Sequence, residues 1–540
     1  MQGQMMNVPL TITTVMEHAR LYHAKREIIS AIDPQSTHKT TYGEAFERAA
    51  QLANALAALG CKPGERIATL AWNDYRHFEI YYALTCSGAI LHTINPRLFE
   101  EQLVYIINHA EDQWIFLDPD FVPLLENIQD DIPNVKGFIT LCDEKQTPKT
   151  SLKNIRCYET LLSEQKSDFE WPELDEYSAC SLCYTSGTTG NPKGVLYSHR
   201  SIVVHALSVS MLDASGFSAN DIVLSIVPMF HVHAWGLPFR APMIGSKLVF
   251  PGRYLGNGEV LQNLITKEKV SFAVGVPTIW QLLIDYLEQS GKKIEPLRRA
   301  IVGGAACPQS LFDQFSNEYD VELIQGWGMT ELGSVGTVNI PGPDFEHLNE
   351  AEKKSSVLKQ GRPIFGVQVK ITDDEGKELP WDGQTSGHLY VRGPNVCNSY
   401  FSQESDEFAV NGWFMTGDVA NIAADGTVQI TDRSKDLIKS GGEWISSIEI
   451  ENCALTHPQI TEAAVIGAKH EKWGERPFLI AVKRAEDSSS AEDILNWFDG
   501  KIASWWKPDN ILFVEELPHT ATGKVSKLSL REKYGEFFIK

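Results

Sequence analysis

The sequence predicts an α/β protein with a large N-terminal domain of helix-covered sheets, a β-rich subdomain and a small α+β C-terminal domain. Helix and strand patterns alternate through roughly the first 430 residues, which is typical of parallel sheets covered by helices. Short, turn-rich segments of alternating hydrophobicity follow residue 360 and indicate an antiparallel region. The C-terminal residues have strands and helices of their own, so we expect them to form a separate domain.

The first elements follow from the spacing of apolar residues. Segment 44–59 has apolar side chains at helical spacing, and Gly60 and Pro63 end it. The next predicted elements are strand 66–72, helix 77–88, helix 100–110 and strand 113–118. Repetition of strand, turn and helix in this order predicts a parallel sheet covered by helices.

Two later units have the same form. The apolar segment 271–276 leads through Pro277 into the predicted helix 279–287, and segment 298–304 leads through Pro308 into another helix. Proline is tolerated in the first turn of a helix because its missing N–H would have no partner there. Further along, the predicted antiparallel strands lie within 367–379, 387–393 and 426–434, and the C-terminal strands within 462–468, 477–483 and 510–516.

Composition and charge exclude several classes of protein. The chain has 540 residues, 43% of them hydrophobic and 22% charged, so it can bury a large core. Its net charge of −22 opposes binding to nucleic acid or to an anionic membrane. Nine cysteines are too few and odd in number for a disulfide framework, which favours the cytoplasm. We expect neither a signal peptide nor a membrane span, since no apolar run reaches ~18 residues.

The strongest local signal is the segment YTSGTTGNPKGV at 184–195. Within nine residues it has four hydroxyl groups, glycines and a lysine, and such groups bind phosphate through backbone N–H groups, hydroxyls and one cation. The spacing differs from a Walker A motif, in which four residues separate the first glycine from Gly-Lys-Ser/Thr. We predict that phosphate is bound by Thr185, Ser186, Gly187, Thr188, Thr189, Gly190 and Lys193.

The same segment resembles the signature of the acyl-adenylate-forming enzymes, which include acyl-CoA synthetases, firefly luciferase and the adenylation domains of peptide synthetases. Further segments match in order and approximate spacing, namely 228–238, 301–308, 324–331, 387–393, 413–419, 432–444 and 517–527. Several matches in register are more specific than any single one. The segments PMFHVHAW at 228–235 and IKSGGEW at 438–444 are most similar to bacterial fatty acyl-CoA ligases of the medium-chain or methylmercaptopropionate type.

The resemblance implies an ATP-dependent carboxylate–CoA ligase that needs Mg²⁺. Such an enzyme joins a carboxylic acid to AMP, releases pyrophosphate and then passes the acyl group to coenzyme A. The resemblance also implies an adenylate-forming domain at 1–432 and a mobile domain at 433–540, with a hinge near 432–439. Rotation of the small domain would present different residues to the two half-reactions. A homodimer is compatible with the resemblance.

The resemblance further implies roles for single residues around the reacting groups. Lys524 resembles the catalytic lysine that contacts the carboxylate and the α-phosphate. His231 would lie beside the acyl carboxylate, and Trp235 would act as a gate to the acyl tunnel. Glu331 and Thr185 resemble the residues that face Mg²⁺, a cation that needs few protein oxygens beside phosphate and water.

Other residues are implied in binding the nucleotide and coenzyme A. Asp418 and Arg433 resemble the ribose-binding pair, and Trp327 lies where an aromatic residue stacks on adenine. Lys435 would be the pivot of the hinge. The adenine and the acyl phosphate would be flanked by Val232, Gly303, Gly304, Ala305, Ala306, Gln325, Gly326, Gly328, Met329 and Thr330. The thioester half-reaction would use Lys439 as a catalytic residue, with Gly441, Gly442 and Trp444 facing coenzyme A.

Several alternatives stay open at this point. The acyl acceptor could be a carrier protein or oxygen instead of coenzyme A. A nucleotide sensor without turnover is opposed by the charged residues of the site, and a serine hydrolase by the lack of a GxSxG elbow. The His231 and His233 pair lacks further ligands at metal-site spacing, and the role of His233 is open. Cys180 and Cys183 have no partner pair and are more typical of apolar strand residues.

The identity of the acid is also open. Trp235 and the segments 276–281 and 334–338 are expected to line the acyl pocket, and Trp280 would shorten it if its side chain pointed inward. Medium-chain fatty acids and short thioether acids both fit this prediction.

Overall fold

The N-terminal part of the chain forms a mostly parallel sheet in the computed structural model, which describes residues 1, 3–185, 191–402, 409–441, 443–484, 490–519 and 525–539. Within these residues the sheet has seven strands, in the order Ile155–Cys157, Gly137–Thr140, Trp114–Leu117, Arg66–Leu70, Ile90–Thr93, Ala179–Tyr184 and Gly194–Ser198. All neighbours are parallel except the last pair, which is antiparallel.

A second sheet supplies most of the site described below. In the described part of the chain it has nine strands, in the order Arg362–Pro363, Ser334–Val338, Glu322–Met329, Arg299–Val302, Phe272–Gly275, Ile222–Ser225, Lys247–Phe250, Glu27–Ala31 and Thr37–Thr41. The six strands from Glu322–Met329 to Glu27–Ala31 run parallel, and the strands at either end are antiparallel.

Two smaller sheets follow in the second half of the chain. An antiparallel sheet contains Gln368–Thr372, Gly387–Arg392, Ala409–Val410, Trp413–Ile422 and Val428–Arg433. The last sheet contains Ile438–Ser440, Glu443–Ile445, Ile460–His470, Gly474–Lys483 and Asn510–Val514. The chain thus passes from one sheet to the other between Arg433 and Ile438, inside the segment expected to be a hinge. The domain boundary at 432 stays a prediction.

Helices cover both large sheets. Those of the N-terminal region are Ile12–Tyr22, Tyr42–Ala58, Tyr75–Ser87, Glu100–Ala110, Val122–Ile128, Tyr158–Ser163, His199–Val209, Leu237–Ile244, Gly258–Glu268, Pro277–Ser290, Gln309–Tyr319 and Glu350–Val357. Those of the C-terminal region are Ser447–Leu455, Ala491–Trp497 and Lys527–Tyr534. Among the helices of the described residues, none has the length and apolarity that crossing a membrane requires.

The predicted fold class is confirmed, and the differences at element ends have local causes. Helix 100–110 has the predicted bounds, whereas helix 44–59 begins two residues early, at Tyr42. It does so because Thr41 and Glu44 form a capping box, in which each side chain accepts a hydrogen bond from the other residue's backbone N–H. Helix 77–88 likewise begins early, at Tyr75, because the Asp74 side chain caps it.

Candidate active site

A cavity of about 1990 Å³ lies at the carboxyl ends of the parallel strands of the nine-stranded sheet. Residues from the segments that follow four of these strands line it, at 231–235, 277–278, 303–308 and 330–331. Ligands of open α/β sheets bind at this edge. Residues 525–529 of the C-terminal region line the same cavity, so both parts of the chain contribute to it.

The two described ends of the glycine-rich segment are held together at the cavity. The backbone N–H of Thr185 donates to the Lys193 carbonyl at 2.9 Å, and the Lys193 N–H donates to the Thr185 hydroxyl at 3.2 Å. Both residues line the cavity. The predicted phosphate-binding residues Ser186, Gly187, Thr188, Thr189 and Gly190 lie outside the described residues.

Glu331 is a buried carboxylate that faces the cavity. It is 6% exposed, and its Oε1 accepts a hydrogen bond from the Tyr400 hydroxyl at 2.7 Å. Burial raises the pKa of this carboxyl group above its usual value. Within the described residues it has no ion pair. A buried carboxylate without a cationic partner is suited to a divalent cation, and Thr185 adds a hydroxyl oxygen, so the residues fit the predicted Mg²⁺.

Asp418 is held from two sides by residues of the predicted nucleotide site. Its Oδ1 pairs with Arg433 Nε at 2.7 Å, and its Oδ2 accepts from Trp327 Nε1 at 3.0 Å. Asp418 and Arg433 are also directly opposite each other on paired antiparallel strands. Each carboxylate oxygen can accept a second hydrogen bond. The carboxylate can therefore accept from a vicinal diol while Arg433 and Trp327 fix its orientation.

The position of Trp327 depends on an irregularity in the nine-stranded sheet. The register between Glu322–Met329 and Ser334–Val338 shifts between Trp327 and Gly328. Gly328 lies so close to the facing strand that an added Cβ would be 1.6 Å from the Ser334 carbonyl oxygen. A bulge bends a strand and changes the direction of its side chains. Here the bulge accompanies the hydrogen bond from the Trp327 indole to Asp418.

Replacing Gly328 with alanine is expected to destabilise the N-terminal region. The added methyl group has no space, so the two strands must separate, and we expect the free energy of unfolding to fall by about 3 kcal/mol. Urea denaturation followed by tryptophan fluorescence measures this change. Gly256→Ala is the control, because the nearest atom to its added Cβ is at 3.7 Å and we expect a change within about 0.5 kcal/mol. Equal midpoints for the two variants would contradict the prediction.

A wall of glycines borders the acyl side of the cavity. A Cβ added at Gly303 would be 2.8 Å from the Gly326 carbonyl oxygen and 3.2 Å from Trp235 Cη2, so the indole of Trp235 lies against this wall. Residues of both segments expected at the acyl pocket line the cavity: Pro277, Thr278, Gln281, Ser334, Val335 and Val338. Trp280 points away from it. Its Nε1 donates to the Ile301 carbonyl at 3.2 Å, and its ring packs in the core, 5.5 Å from Phe315.

The segment Val232–Trp235 is left-handed throughout, with φ angles of 43°, 54°, 48° and 55°. This conformation costs an L-residue roughly 1–2 kcal/mol and is least favourable for a β-branched residue such as Val232. Strained backbone of this kind persists only where its surroundings impose it, and it is concentrated at functional sites. The turn allows both His231 and Trp235 to line the cavity.

His233, whose role the sequence leaves open, holds this turn against the N-terminal sheet. Its Nε2 lies within hydrogen-bond distance of the Ser181 hydroxyl and 3.4 Å from the Cys183 sulfur, and its ring contacts Tyr197 edge-on. Burial lowers the pKa of His233 to about 3, so the ring is neutral at physiological pH. Cys180 and Cys183 are both buried in their strand, as expected for small apolar residues.

The structure brings most of the predicted site residues to one cavity. The described residues that line it include Thr185, Lys193, His231, Val232, Trp235, Gly303, Gly304, Ala305, Ala306, Gln325, Gly326, Trp327, Gly328, Met329, Thr330, Glu331, Asp418, Arg433 and Lys435. Lys439, Gly441 and Trp444 are not among the described residues of its lining. Gly442 and Lys524 lie outside the described residues, but His519 and Val525 on either side of Lys524 line the cavity and pair with each other.

Tyr400 and Arg240 are among the residues of the lining that were not predicted from the sequence. Tyr400 donates to Glu331, and nothing in the sequence around it indicates that contact. Arg240 is 2% exposed and lines the cavity. Its signal is visible in the sequence, because it is the one charged residue in the otherwise apolar helix LPFRAPMI.

The structure is that of an α/β protein with a large cavity at the carboxyl ends of its parallel strands, and comparison with known families identifies its class. A family model described as AMP-binding enzyme matches residues 16–401, and one described as AMP-binding enzyme C-terminal domain matches residues 449–524. The chain belongs to the AMP-binding enzyme family. It is an AMP-forming acyl-CoA synthetase, which joins a carboxylic acid to coenzyme A through acyl-AMP and uses ATP and Mg²⁺.

Individual relatives extend over almost the whole chain. The chain is 49% identical to a 3-methylmercaptopropionyl-CoA ligase of Ruegeria lacuscaerulensis, covering 99% of each chain. It is 47% identical to a medium-chain-fatty-acid–CoA ligase of Ectopseudomonas oleovorans, covering 100% of this chain and 99% of the relative. Among solved structures, it resembles the anthranilate CoA ligase AuaEII in complex with anthranoyl-AMP, with a TM-score of 0.86 at 26% identity over 98% of both chains. A carrier-protein acceptor is therefore not favoured.

Proposed function

We propose that the cavity is the site of both half-reactions and that its residues have the roles that the sequence predicts. The observation that carries this proposal is the convergence of Thr185, Glu331 and Asp418 with residues 525–529 of the C-terminal region on one cavity. These groups come from distant parts of the chain, and a purely structural role would not need them at one place.

In the first half-reaction an oxygen of the substrate carboxylate attacks the α-phosphorus of ATP, and the bond to pyrophosphate breaks. Asp418 accepts hydrogen bonds from the ribose hydroxyls, Trp327 stacks on adenine, and His231 lies beside the acid. The Lys524 ammonium stabilises the charge that develops between the acid and the α-phosphate. Glu331 and Thr185 would hold Mg²⁺, which would neutralise part of the phosphate charge.

In the second half-reaction the thiol of coenzyme A attacks the acyl carbon, and AMP leaves. We propose that the residues after the hinge at Lys435 rotate, so that Lys439, Gly441, Gly442 and Trp444 replace Lys524 at the cavity. The described arrangement supports this order, because Val525 and Ser526 line the cavity while Lys439 and Trp444 do not. We propose that this arrangement is the one used for adenylation.

The proposed acid is short or of medium length, either a medium-chain fatty acid or a short thioether acid such as methylmercaptopropionate. Two relatives with 49% and 47% identity are named for these two classes. The residues of the acyl side that line the cavity, which include Trp235, Val274, Ile301 and Val338, are mainly apolar. Trp280 does not narrow the pocket.

We further propose that the enzyme acts in the cytoplasm. All nine cysteines are free thiols, which is typical of a reducing compartment. The homodimer that the resemblance allows stays a prediction, and analytical ultracentrifugation of the purified chain tests it.

A screen of AMP release across carboxylic acids of rising chain length tests the proposed function. Each acid is supplied with ATP and Mg²⁺, with and without coenzyme A. We expect AMP release that requires coenzyme A and reaches its maximum with acids of short or medium length. Acyl-AMP formation without any thioester product would favour a different acceptor, and no pyrophosphate with any acid would overturn the proposal.

Replacing Lys439 with alanine is expected to impair the second half-reaction selectively. Lys439 is exposed, with its Nζ 5.5 Å from the Trp444 ring centroid, on the face that we expect to meet coenzyme A. We expect thioester formation from supplied acyl-AMP to fall by about 10-fold or more, because a charged hydrogen bond contributes roughly 1.5–3 kcal/mol. ATP–pyrophosphate exchange should stay within about threefold of the wild type.

Lys469→Ala is the matched control for this prediction. Lys469 is an exposed lysine of the same small sheet whose Nζ pairs with Glu536 at 3.2 Å, so its loss should alter neither assay. A Lys439→Ala enzyme that forms the thioester at the wild-type rate would remove Lys439 from the proposed mechanism.

A further inference from the structure

Arg240 is a buried cation at the cavity that neither half-reaction uses. It is located in the middle of the helix Leu237–Ile244, and its side chain is almost fully buried. A guanidinium is always charged under physiological conditions and is costly to bury without a partner. Its presence in the lining of an acyl pocket therefore needs an explanation.

Part of the explanation is structural. Arg240 Nη2 donates to the Val209 carbonyl at 3.2 Å and to the Ser215 hydroxyl at 2.6 Å, and Nε donates to the Ser210 hydroxyl at 3.4 Å. The guanidinium also lies 4.5 Å from the Phe217 ring centroid. Val209 is the last residue of the helix His199–Val209, so the cation meets the negative end of that helix.

These contacts do not use all the hydrogen-bond donors of the guanidinium. In the described part of the chain Nη1 makes no hydrogen bond and Arg240 makes no ion pair. Among the described residues, Nη1 is not one of the fully buried side-chain atoms that lack a partner, and Arg240 lines the cavity. The nearby His205 is not a counter-charge for Arg240. Its Nε2 accepts from the Val335 N–H at 3.2 Å, and burial lowers its pKa to about 3, so the ring is neutral. Burial lowers the pKa of Arg240 to about 9, which is still high enough to keep the guanidinium charged at physiological pH.

Arg240 lies on the acyl side of the cavity, next to the gate residue. Gly236 directly follows Trp235, and a Cβ added at Gly236 would be 3.7 Å from Arg240 Cδ and 3.4 Å from His205 Nδ1. Val209 and Ser215, which accept hydrogen bonds from the guanidinium, also line the cavity. An acid that passes Trp235 with its reacting carboxylate toward the nucleotide would direct its other end to this group.

We propose that Arg240 determines specificity by binding a second carboxylate at the far end of the acid, so that dicarboxylic acids are preferred substrates. This inference rests on the proposed function, and it replaces the apolar end of the proposed acid with a second carboxylate at a similar chain length. A carboxylate can accept two parallel hydrogen bonds from a guanidinium and supplies the missing charge. An alkyl end of the same length would instead leave Nη1 desolvated and unpaired.

Matched pairs of acids test the proposal on the wild-type enzyme. AMP release that requires coenzyme A is compared for hexanoate with adipate and for octanoate with suberate, and 3-methylmercaptopropionate is included. We expect kcat/KM to be at least about 10-fold higher for the dicarboxylate of the preferred pair, because a hydrogen bond to a charged group contributes a factor of that order. Equal or higher kcat/KM for the monocarboxylates would overturn the inference and leave the proposed function intact. No turnover of any acid would instead overturn the proposed function.

Arg240→Gln separates recognition from structural support. We expect it to lower kcat/KM for the preferred dicarboxylate by about 100-fold, mainly through KM, while the matched monocarboxylate changes less than about threefold. Arg299→Gln is the control. Arg299 donates to the Gly216 carbonyl at 2.8 Å and supports the same loop, but it is not among the described residues that line the cavity. A parallel loss for both acids would mean that Arg240 only supports the fold and would overturn the inference. Should Arg240→Gln fail to fold, the wild-type comparison alone decides.

Discussion

Replacing Lys524 with alanine is expected to abolish ATP–pyrophosphate exchange and to leave thioester formation from supplied acyl-AMP nearly unchanged. The ammonium would stabilise charge that develops only while the acid attacks the α-phosphate, and loss of one such contact costs about 3–4 kcal/mol, or ~10²–10³ in rate. Lys524 itself lies outside the described residues. His519 and Val525, the described residues on either side of it, pair with each other and line the cavity.

The control for this variant is Lys527→Ala. Lys527 is a second lysine that lines the cavity, but its Nζ pairs with Glu451 at 2.7 Å and donates to the Ser447 hydroxyl at 2.6 Å, so it is already neutralised within the small domain. We expect it to retain pyrophosphate exchange above the level of Lys524→Ala by at least about 10-fold. Equal losses of both half-reactions in Lys524→Ala would contradict the proposal that the two steps use different arrangements.

Replacing Glu331 with glutamine is the second substitution with a large expected effect. Glutamine keeps the size of the side chain and can still accept from Tyr400, but it removes the negative charge that we propose faces Mg²⁺. We expect pyrophosphate exchange to fall by about 100-fold, since metal-ion charge stabilisation contributes several kcal/mol. The Mg²⁺ concentration for half-maximal exchange should rise by about 10-fold, as a neutral amide is a weaker ligand for this cation.

Tyr400→Phe controls for the hydrogen bond to Glu331. It removes the 2.7 Å contact but keeps the carboxylate, so we expect the Mg²⁺ dependence to shift by no more than about threefold. If Glu331→Gln had the same Mg²⁺ dependence as the wild type, Glu331 would have a structural role only, and the proposed Mg²⁺ ligand set would be wrong.

The parts of the fold that were predictable from the sequence are those set by local rules. Helix 100–110 was predicted with its bounds, and the strand–proline–helix unit at Pro277 was predicted because the proline occupies the first turn of the helix. The site was predictable for a different reason. The motif around Glu331 directly follows a parallel strand, and the topology brings such positions to one edge of the nine-stranded sheet. Asp418 instead lies within the strand Trp413–Ile422 of the antiparallel sheet, so its place at the cavity depends on how that sheet packs.

What could not be predicted depends on tertiary contacts. The left-handed segment Val232–Trp235 contains a β-branched and a bulky residue, so local preferences oppose the conformation that the surrounding structure imposes. The direction of Trp280 is set by a hydrogen bond to a neighbouring strand, and helical periodicity alone does not determine it. The burial of Arg240 depends on the loop that follows the helix His199–Val209, a contact between segments 30 residues apart.

One carboxylate next to the proposed hinge connects the antiparallel sheet to the small domain. Asp432, at the end of the third sheet, accepts from the backbone N–H of Ser447 at 2.6 Å and from its hydroxyl at 2.7 Å, and Ser447 begins the first helix of the small domain. The rotation that we propose would have to break these two hydrogen bonds. Their loss would therefore oppose a change of arrangement until acyl-AMP has formed, and replacing Asp432 would be expected to alter the balance between the two half-reactions.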